Sequence, residues 1–405
     1  MRPLNHESAA SDIIVKFTVT ETASVILISV LTGIILISEP VMLGAMLQAH
    51  RITAQQLGHT ATSELLAVAV VIGIAGARLK PEHMKMIAVL AVLAVSLANL
   101  LTMFASGNGI VLVRLLSGAG AGLCSWLLTC LVVRSEAPAR IYGITNVIVN
   151  LTGLILIQLT TRYFIPHFGP NGSYGMMLGL SLLMVIPALL IRDRLPELPK
   201  ISRQSDAPVL RGAVALFAVM FFLGGFMAYW IYLVPFAAQL GYAKSTVTLA
   251  ISLAVVFQIL GSVAAAAAGR RAGYLVILAP CTVVALLILA ALNVNLGTLA
   301  FIAAVVGLGF VWNLGIPFIA MPFLIAADPS HRTAMYSFCA QLAGSALGPF
   351  LASLFVSSQS VRGSLAVGFC LFAASLIVVV AVHWRVSAKR GTTGILVPAK
   401  DKAGA

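Results

Sequence analysis

The stretch Ser24–Gln48 reads SVILISVLTGIILISEPVMLGAMLQ. It holds about 25 residues, enough at about 1.5 Å per residue to cross a hydrocarbon core about 30 Å thick. Its one ionisable side chain, Glu39, lies more than halfway along, with Pro40 directly after it. A charge near mid-membrane is costly and marks a functional candidate, and a proline inside a spanning helix frees backbone groups and permits a kink.

The rest of the chain repeats this pattern. Its 405 residues are 60% hydrophobic and only 9% charged, with a mean hydropathy of +1.05, far from the roughly 25% charged residues of an average soluble domain. About eleven further runs of spanning length follow: Ala61–Leu79, Met86–Ala105, Gly109–Val133, Ile141–Phe164, Tyr174–Ile191, Gly212–Leu240, Thr246–Ala268, Gly273–Asn293, Leu296–Ala326, Thr333–Val356 and Leu365–His383. The expectation is an all-α, multi-pass membrane protein of about twelve transmembrane helices.

The net charge of +13 follows from topology and points to no nucleic-acid partner. About twenty of the 25 Lys and Arg fall on one side of this map, among them Arg78, Lys80, Arg134, Arg192, Arg271 and Arg385. The other side holds about four, Arg51, Arg162, Lys244 and Arg362. The basic side is the cytoplasmic one, so both termini face the cytoplasm. The first run lacks a small-residue cleavage site after it and reads as a retained helix. All five cysteines fall within the runs without metal-ligand spacing and read as packing residues. His50 and His59 read as loop residues on the outer side, too few for a metal site. No cofactor is expected.

The longest polar interruption, Arg192–Arg211, carries Pro196, Pro199 and Pro208 and follows the sixth run. It divides the chain into a first bundle over 1–191, a cytoplasmic linker over 192–211, and a second bundle with a short basic tail over 212–405. Basic turns follow the second run of each half, at Gly76–Lys85 and Gly269–Gly273. Two repeated bundles around a central cavity are the plan of a secondary transporter.

These features resemble the major facilitator superfamily over nearly the whole chain. The segment Arg114-Leu115-Leu116-Ser117-Gly118-Ala119-Gly120-Ala121-Gly122 is similar to that family's fourth-helix motif, with Ser117 in place of the usual glutamine. The resemblance implies two six-helix bundles and transport by alternating access. Two departures stand out. Lys80 occupies the place of an aspartate in the loop signature between the second and third helices, and the fifth run lacks the glycine-proline-glycine cluster of drug antiporters, having only Gly143 and Gly153.

Three ionisable residues lie well inside the hydrocarbon on this map: Glu39, Glu64 and Arg114. Rise per residue places Glu64 about 6 Å, Arg114 about 8 Å and Glu39 about 13 Å below the outer ends of their runs. Glu64 and Arg114 are therefore expected to pair, as a structural link or as part of the coupling machinery. Glu39 is left nearer the midplane without a cation. A carboxyl in that position favours its neutral form and can gain and release a proton as a cavity opens to either side.

Candidates for solute binding are Asn146 and Asn150, four apart on one helix face, with Tyr229, Trp230, Gln258, Trp312, Asn313 and Gln341 in the second half. Packing competes for the aromatics, and helix–helix hydrogen bonding for the amides. The glycines at 118, 120, 122, 344 and 348 read as close helix contacts.

No HExxH, GxSxG or GxxxxGK[ST] occurs, so an enzyme is not expected. The expectation is a monomeric secondary transporter in a bacterial inner membrane, in contact with lipid, moving a small organic solute by proton-coupled uptake. Proton-antiport efflux of amphipathic or cationic compounds is the alternative, and a receptor or scaffold on the same fold ranks below both.

Overall fold

The computed structural model describes residues 15–197, 210–269, 273–329 and 333–393. The middle of the linker, the basic turn at 270–272 and the tail from 394 lie outside the described residues. The described chain is all helical. In order the helices are α1 Val19–Gln48, α2 Ala54–Arg78, α3 Met84–Phe104, α4 Asn108–Arg134, α5 Pro138–Leu159, α6 Ile165–Leu183, α7 Val185–Leu190, α8 Leu210–Trp230, α9 Leu233–Gln239, α10 Lys244–Ala268, α11 Tyr274–Ala291, α12 Thr298–Ala320, α13 Pro322–Ala327, α14 Ser337–Phe355 and α15 Gly363–Thr393.

Ten of these stretches are long and apolar enough to span a membrane, and α1 is an eleventh if its two bent segments count as one. One stretch, Arg140–Leu190, is 51 residues long, about 76 Å of helix and more than two core thicknesses. It is broken at Gly169, whose φ of 63° and ψ of −158° suit glycine alone, and Pro170 follows. Counting that stretch as two crossings gives twelve.

Hydrogen bonds between loops show that successive helices alternate in direction. On one face Val15 N–H donates to Arg134 O, Met84 N–H to Asp193 O and Leu195 N–H to Pro81 O, while Arg192 pairs with Glu21 at 2.9 Å. This is called the basic face below. On the opposite face Gly107 N–H donates to Arg51 O, Gln56 Nε2 to Asn108 Oδ1 at 2.9 Å and Tyr242 Oη to Leu296 O at 2.6 Å. Arg51 also donates to the carbonyls of Thr102, Met103 and Ala105 and to Asn171. It thereby satisfies acceptors that the end of α3 leaves open.

Two local features differ from the sequence reading. A capping box of Thr53 and Gln56 starts α2 at Ala54, seven residues before the apolar run begins, because capping satisfies the first free N–H groups regardless of hydropathy. His59 consequently sits on α2 with its ring 6.4 Å from that of Phe350, and not in a loop. Cys339 and Cys370 face outward, whereas Cys124, Cys130 and Cys281 are buried.

In α1 the axis turns by 45° between Ile35 and Ile37. Pro40 has no N–H for the carbonyl four residues earlier, that of Leu36, and its ring crowds that carbonyl.

Between membrane helices lipid tails compete with apolar side chains, so close approach of backbones does much of the packing. A Cβ on Gly118 of α4 would strike the Glu64 carbonyl of α2, and one on Gly348 of α14 would strike the Gly224 carbonyl of α8. Both contacts agree with the reading of these glycines as packing sites.

Candidate functional site

Two regions collect the polar residues of the interior. The first lies among α1, α2, α3 and α4. Arg114 Nε donates to Glu64 Oε2 at 2.8 Å, and its Nη2 donates to Glu64 Oε1, so the pair is bidentate. Arg114 Nη1 donates to Asn99 Oδ1 at 3.0 Å, and the guanidinium lies 5.5 Å from the centroid of the Tyr174 ring. Glu64 is fully buried, and Arg114 and Glu39 are each only 4% exposed.

Glu39 stands beside this pair. The charges acting on it are Glu64 and, with opposite sign, Arg114. Neither Glu39 oxygen has a donor to accept from among the described residues. Ser38 Oγ, Ser117 Oγ and Asn99 Nδ2, on the same helices, also have no partner among the described residues.

This corrects the expectation that Glu39 lies deeper than the pair. Because α2 starts at Ala54, Glu64 is about 15 Å along it, while Glu39 is about 14 Å from the end of α1, so the two are level. The predicted Glu64–Arg114 pair is present. Asn99 and Tyr174, its other neighbours, were not among the sequence candidates; the lone amide in the apolar run of α3 was the available signal.

The second region is a cavity of about 560 Å³, walled by α1, α4 and α5 on one side and by α8, α10, α12 and α14 on the other. Asn146, Asn150, Trp230, Gln258, Trp312 and Asn313 line it, together with Phe226, Tyr142 and Thr129, which sequence reasoning missed. Tyr229 and Gln341 do not. Tyr229 is 1% exposed and packs edge-on against Phe236, while Gln341 Nε2 donates to Ser337 Oγ at 3.3 Å.

On α4, α5 and α14 the lining lies in the half nearer the basic face, whereas Phe226, Met227 and Trp230 come from the far end of α8. Among the described residues three side-chain hydrogen bonds join the first six spans to the last six on the other side of the cavity: Tyr232 Oη to Ala54 O at 2.9 Å at the opposite face, and, deeper, Thr62 Oγ1 to Ala346 O at 3.1 Å and Gln158 Nε2 to Ser252 Oγ at 2.6 Å. A smaller cavity, of about 290 Å³, lies toward that face with Gln158, Arg162 and Lys244 in its wall.

Helical phase separates the two regions on α1. Ser29, Gly33 and Ile37 line the large cavity at four-residue intervals, and Glu39, two residues past Ile37, is turned about 200° away toward α2 and α4. Among the described residues no group of three or more His, Cys, Asp or Glu could hold a metal ion.

No profile of a known protein family matches the chain, nor does any curated protein sequence. Solved structures do resemble it. The nucleoside transporter NupG superposes with a TM-score of 0.68 over 90% of this chain and 98% of its own, at 12% identity. A D-xylose-proton symporter gives 0.64 over 90% and 97%, at 12% identity. A bacterial homologue of the human lysosomal transporter Spinster, inward-facing and occupied, gives 0.62 over 91% and 96%, at 13% identity. At such identities the likeness speaks for architecture alone, and the architecture is that of the major facilitator fold.

Proposed function

We propose that this protein is a secondary transporter that takes up a small organic solute together with protons by alternating access. The observation that carries this reading is Glu39, a buried carboxyl whose neighbouring cation is already engaged bidentately by Glu64. When Glu39 is charged it repels Glu64; when it holds a proton that repulsion becomes a hydrogen bond. Occupancy by one proton thus changes the packing of α1 against α2, which is what coupling requires. Fold neighbours named as a nucleoside transporter and a sugar-proton symporter support solute transport as the general class.

In this reading residues 1–191 and 212–405 are two bundles that rock about the solute cavity, and the basic face is the cytoplasmic side of a bacterial inner membrane. The large cavity then faces the cytoplasm, with the outer side closed by the bonds of Tyr232, Thr62 and Gln158. Uptake is preferred over efflux because the fifth span lacks the antiporter cluster.

The test is pH recording outside proteoliposomes while pools of solutes are added, with Glu39→Gln in parallel. Alkalinisation on adding one pool, absent in the variant, is expected. Acidification would replace uptake by antiport, and a response unchanged in Glu39→Gln would remove this carboxyl from the coupling step.

A further inference from the structure

Resting on the reading of the large cavity as the solute site, we propose that its ligand is an uncharged planar heterocycle carrying a hydrogen-bond donor next to an acceptor. Among the described residues no Asp, Glu, Lys, Arg or His lines the cavity. A formal charge placed there would meet no opposite charge, which disfavours ions of either sign.

The polar groups divide into two sets. Four of the five hydroxyls are already engaged, that of Tyr142 being the exception: Ser29 donates to Ile26 O at 2.7 Å, Thr129 to Ser125 O at 2.9 Å, Thr145 to Ile141 O at 2.9 Å, and Ser125 to Thr32 Oγ1 at 3.0 Å. The side-chain amides of Asn146, Gln258 and Asn313 make no hydrogen bond among the described residues, although all three line the cavity. Gln258 is only 5% exposed and its amide lines the cavity, and Trp312 Nε1, on the same wall, is buried with no partner among the described residues, a donor that a ligand would satisfy. Every carboxamide presents an NH₂ donor beside a C=O acceptor. Its natural complement is a ligand edge with the same pair reversed, as in a cyclic amide or an amino-substituted ring nitrogen.

The remaining wall supplies the flat surface. Phe226 is stacked between Trp230 and Trp312, with centroids 5.2 Å and 3.9 Å away and planes 22° and 8° from parallel. All three rings line the cavity that Asn146 and Asn150 of α5 also line. A planar ring can lie against such a surface, whereas a puckered polyol can use neither the stacking nor the fixed donor–acceptor spacing as fully.

Equilibrium binding to the purified protein, in lipid nanodiscs without any gradient, tests this. The probes are uracil and hypoxanthine as planar heterocycles, xylose as a puckered neutral solute, benzoate as an anion and tetraphenylphosphonium as a cation. At least one heterocycle should bind about tenfold or more tighter than the other three probes, and Gln258→Leu or Asn313→Leu should each weaken it about tenfold. Thermal unfolding checks that both variants remain folded. Tightest binding by xylose, benzoate or tetraphenylphosphonium overturns the assignment, as does heterocycle binding unchanged in both variants. Binding by Glu39→Gln separates the two readings. Heterocycle binding without solute-driven proton movement would sink the transport mechanism and leave the ligand class standing; xylose-driven proton movement without heterocycle binding would do the reverse.

Discussion

The charged cluster and the solute cavity are both polar interiors, but they are built on opposite rules. Around Arg114 the charges are close, bidentate and shut away from solvent, and one carboxyl, Glu39, is left over. In the cavity no side chain is charged, and the unused groups are amides and ring faces. On the proposed reading the first arrangement stores a response to one proton and the second selects a neutral shape. Keeping them about half a helical turn apart on α1 lets a proton and a solute act on the same element without touching.

The largest effect should come from removing the cation. Arg114→Leu leaves two carboxyls in the interior, and breaking a buried pair in this way costs about 3–5 kcal/mol; yield of folded protein in detergent and the unfolding temperature would report it. If the variant were as stable as the parent, the cluster would not be a sealed charge site and the contrast with the cavity would fail.

Next in size is crowding between α2 and α4. Gly118→Val must push the Glu64 carbonyl away, so an overpacking cost of about 1–3 kcal/mol is expected, again read from unfolding. A smaller cost would mean that the helices can separate around the ion pair.

Glu39→Gln sharpens the comparison through function. It removes a titrating group that has no hydrogen-bond donor, so stability should change by less than about 1 kcal/mol, while accumulation driven by a proton gradient is lost and solute exchange persists. A combined counterflow and uptake assay distinguishes these outcomes, and loss of exchange as well would place Glu39 in solute binding.

The smallest effect belongs to the tie on the opposite face. Tyr232→Phe deletes one hydrogen bond between the second and seventh spans, worth about 1 kcal/mol, and should raise the population open at that face about fivefold. The distance between spin labels on cysteines introduced at the exposed Gln55 and Ser358, one in each half at that face, would measure it.

Much of this was legible in the residues. Runs of apolar length located the helices, and the scarcity of charges made Glu39, Glu64 and Arg114 conspicuous. Their pairing followed from depth, but the level of Glu39 did not, because hydropathy starts α2 at Ala61 and the capping box of Thr53 starts it at Ala54. The cavity was partly legible: amides inside a membrane are costly enough to be noticed, which singled out Asn146, Asn150, Gln258 and Asn313. Aromatics are not, since Tyr229 buried in packing and Phe226 on the cavity wall carry no local signal that tells them apart.

The bend of α1 gives that helix a mechanical character. On the proposed reading its two segments can act as levers on one pivot, with Ser29 and Gly33 on the cavity wall on one arm and Glu39 on the other. The arm from Ile37 to Gln48 is about 18 Å long, so a pivot rotation of roughly 10° swings its tip by about 3 Å. If protonation of Glu39 turns that pivot, a change the size of one hydrogen bond is amplified to the width of a water molecule at the end of α1.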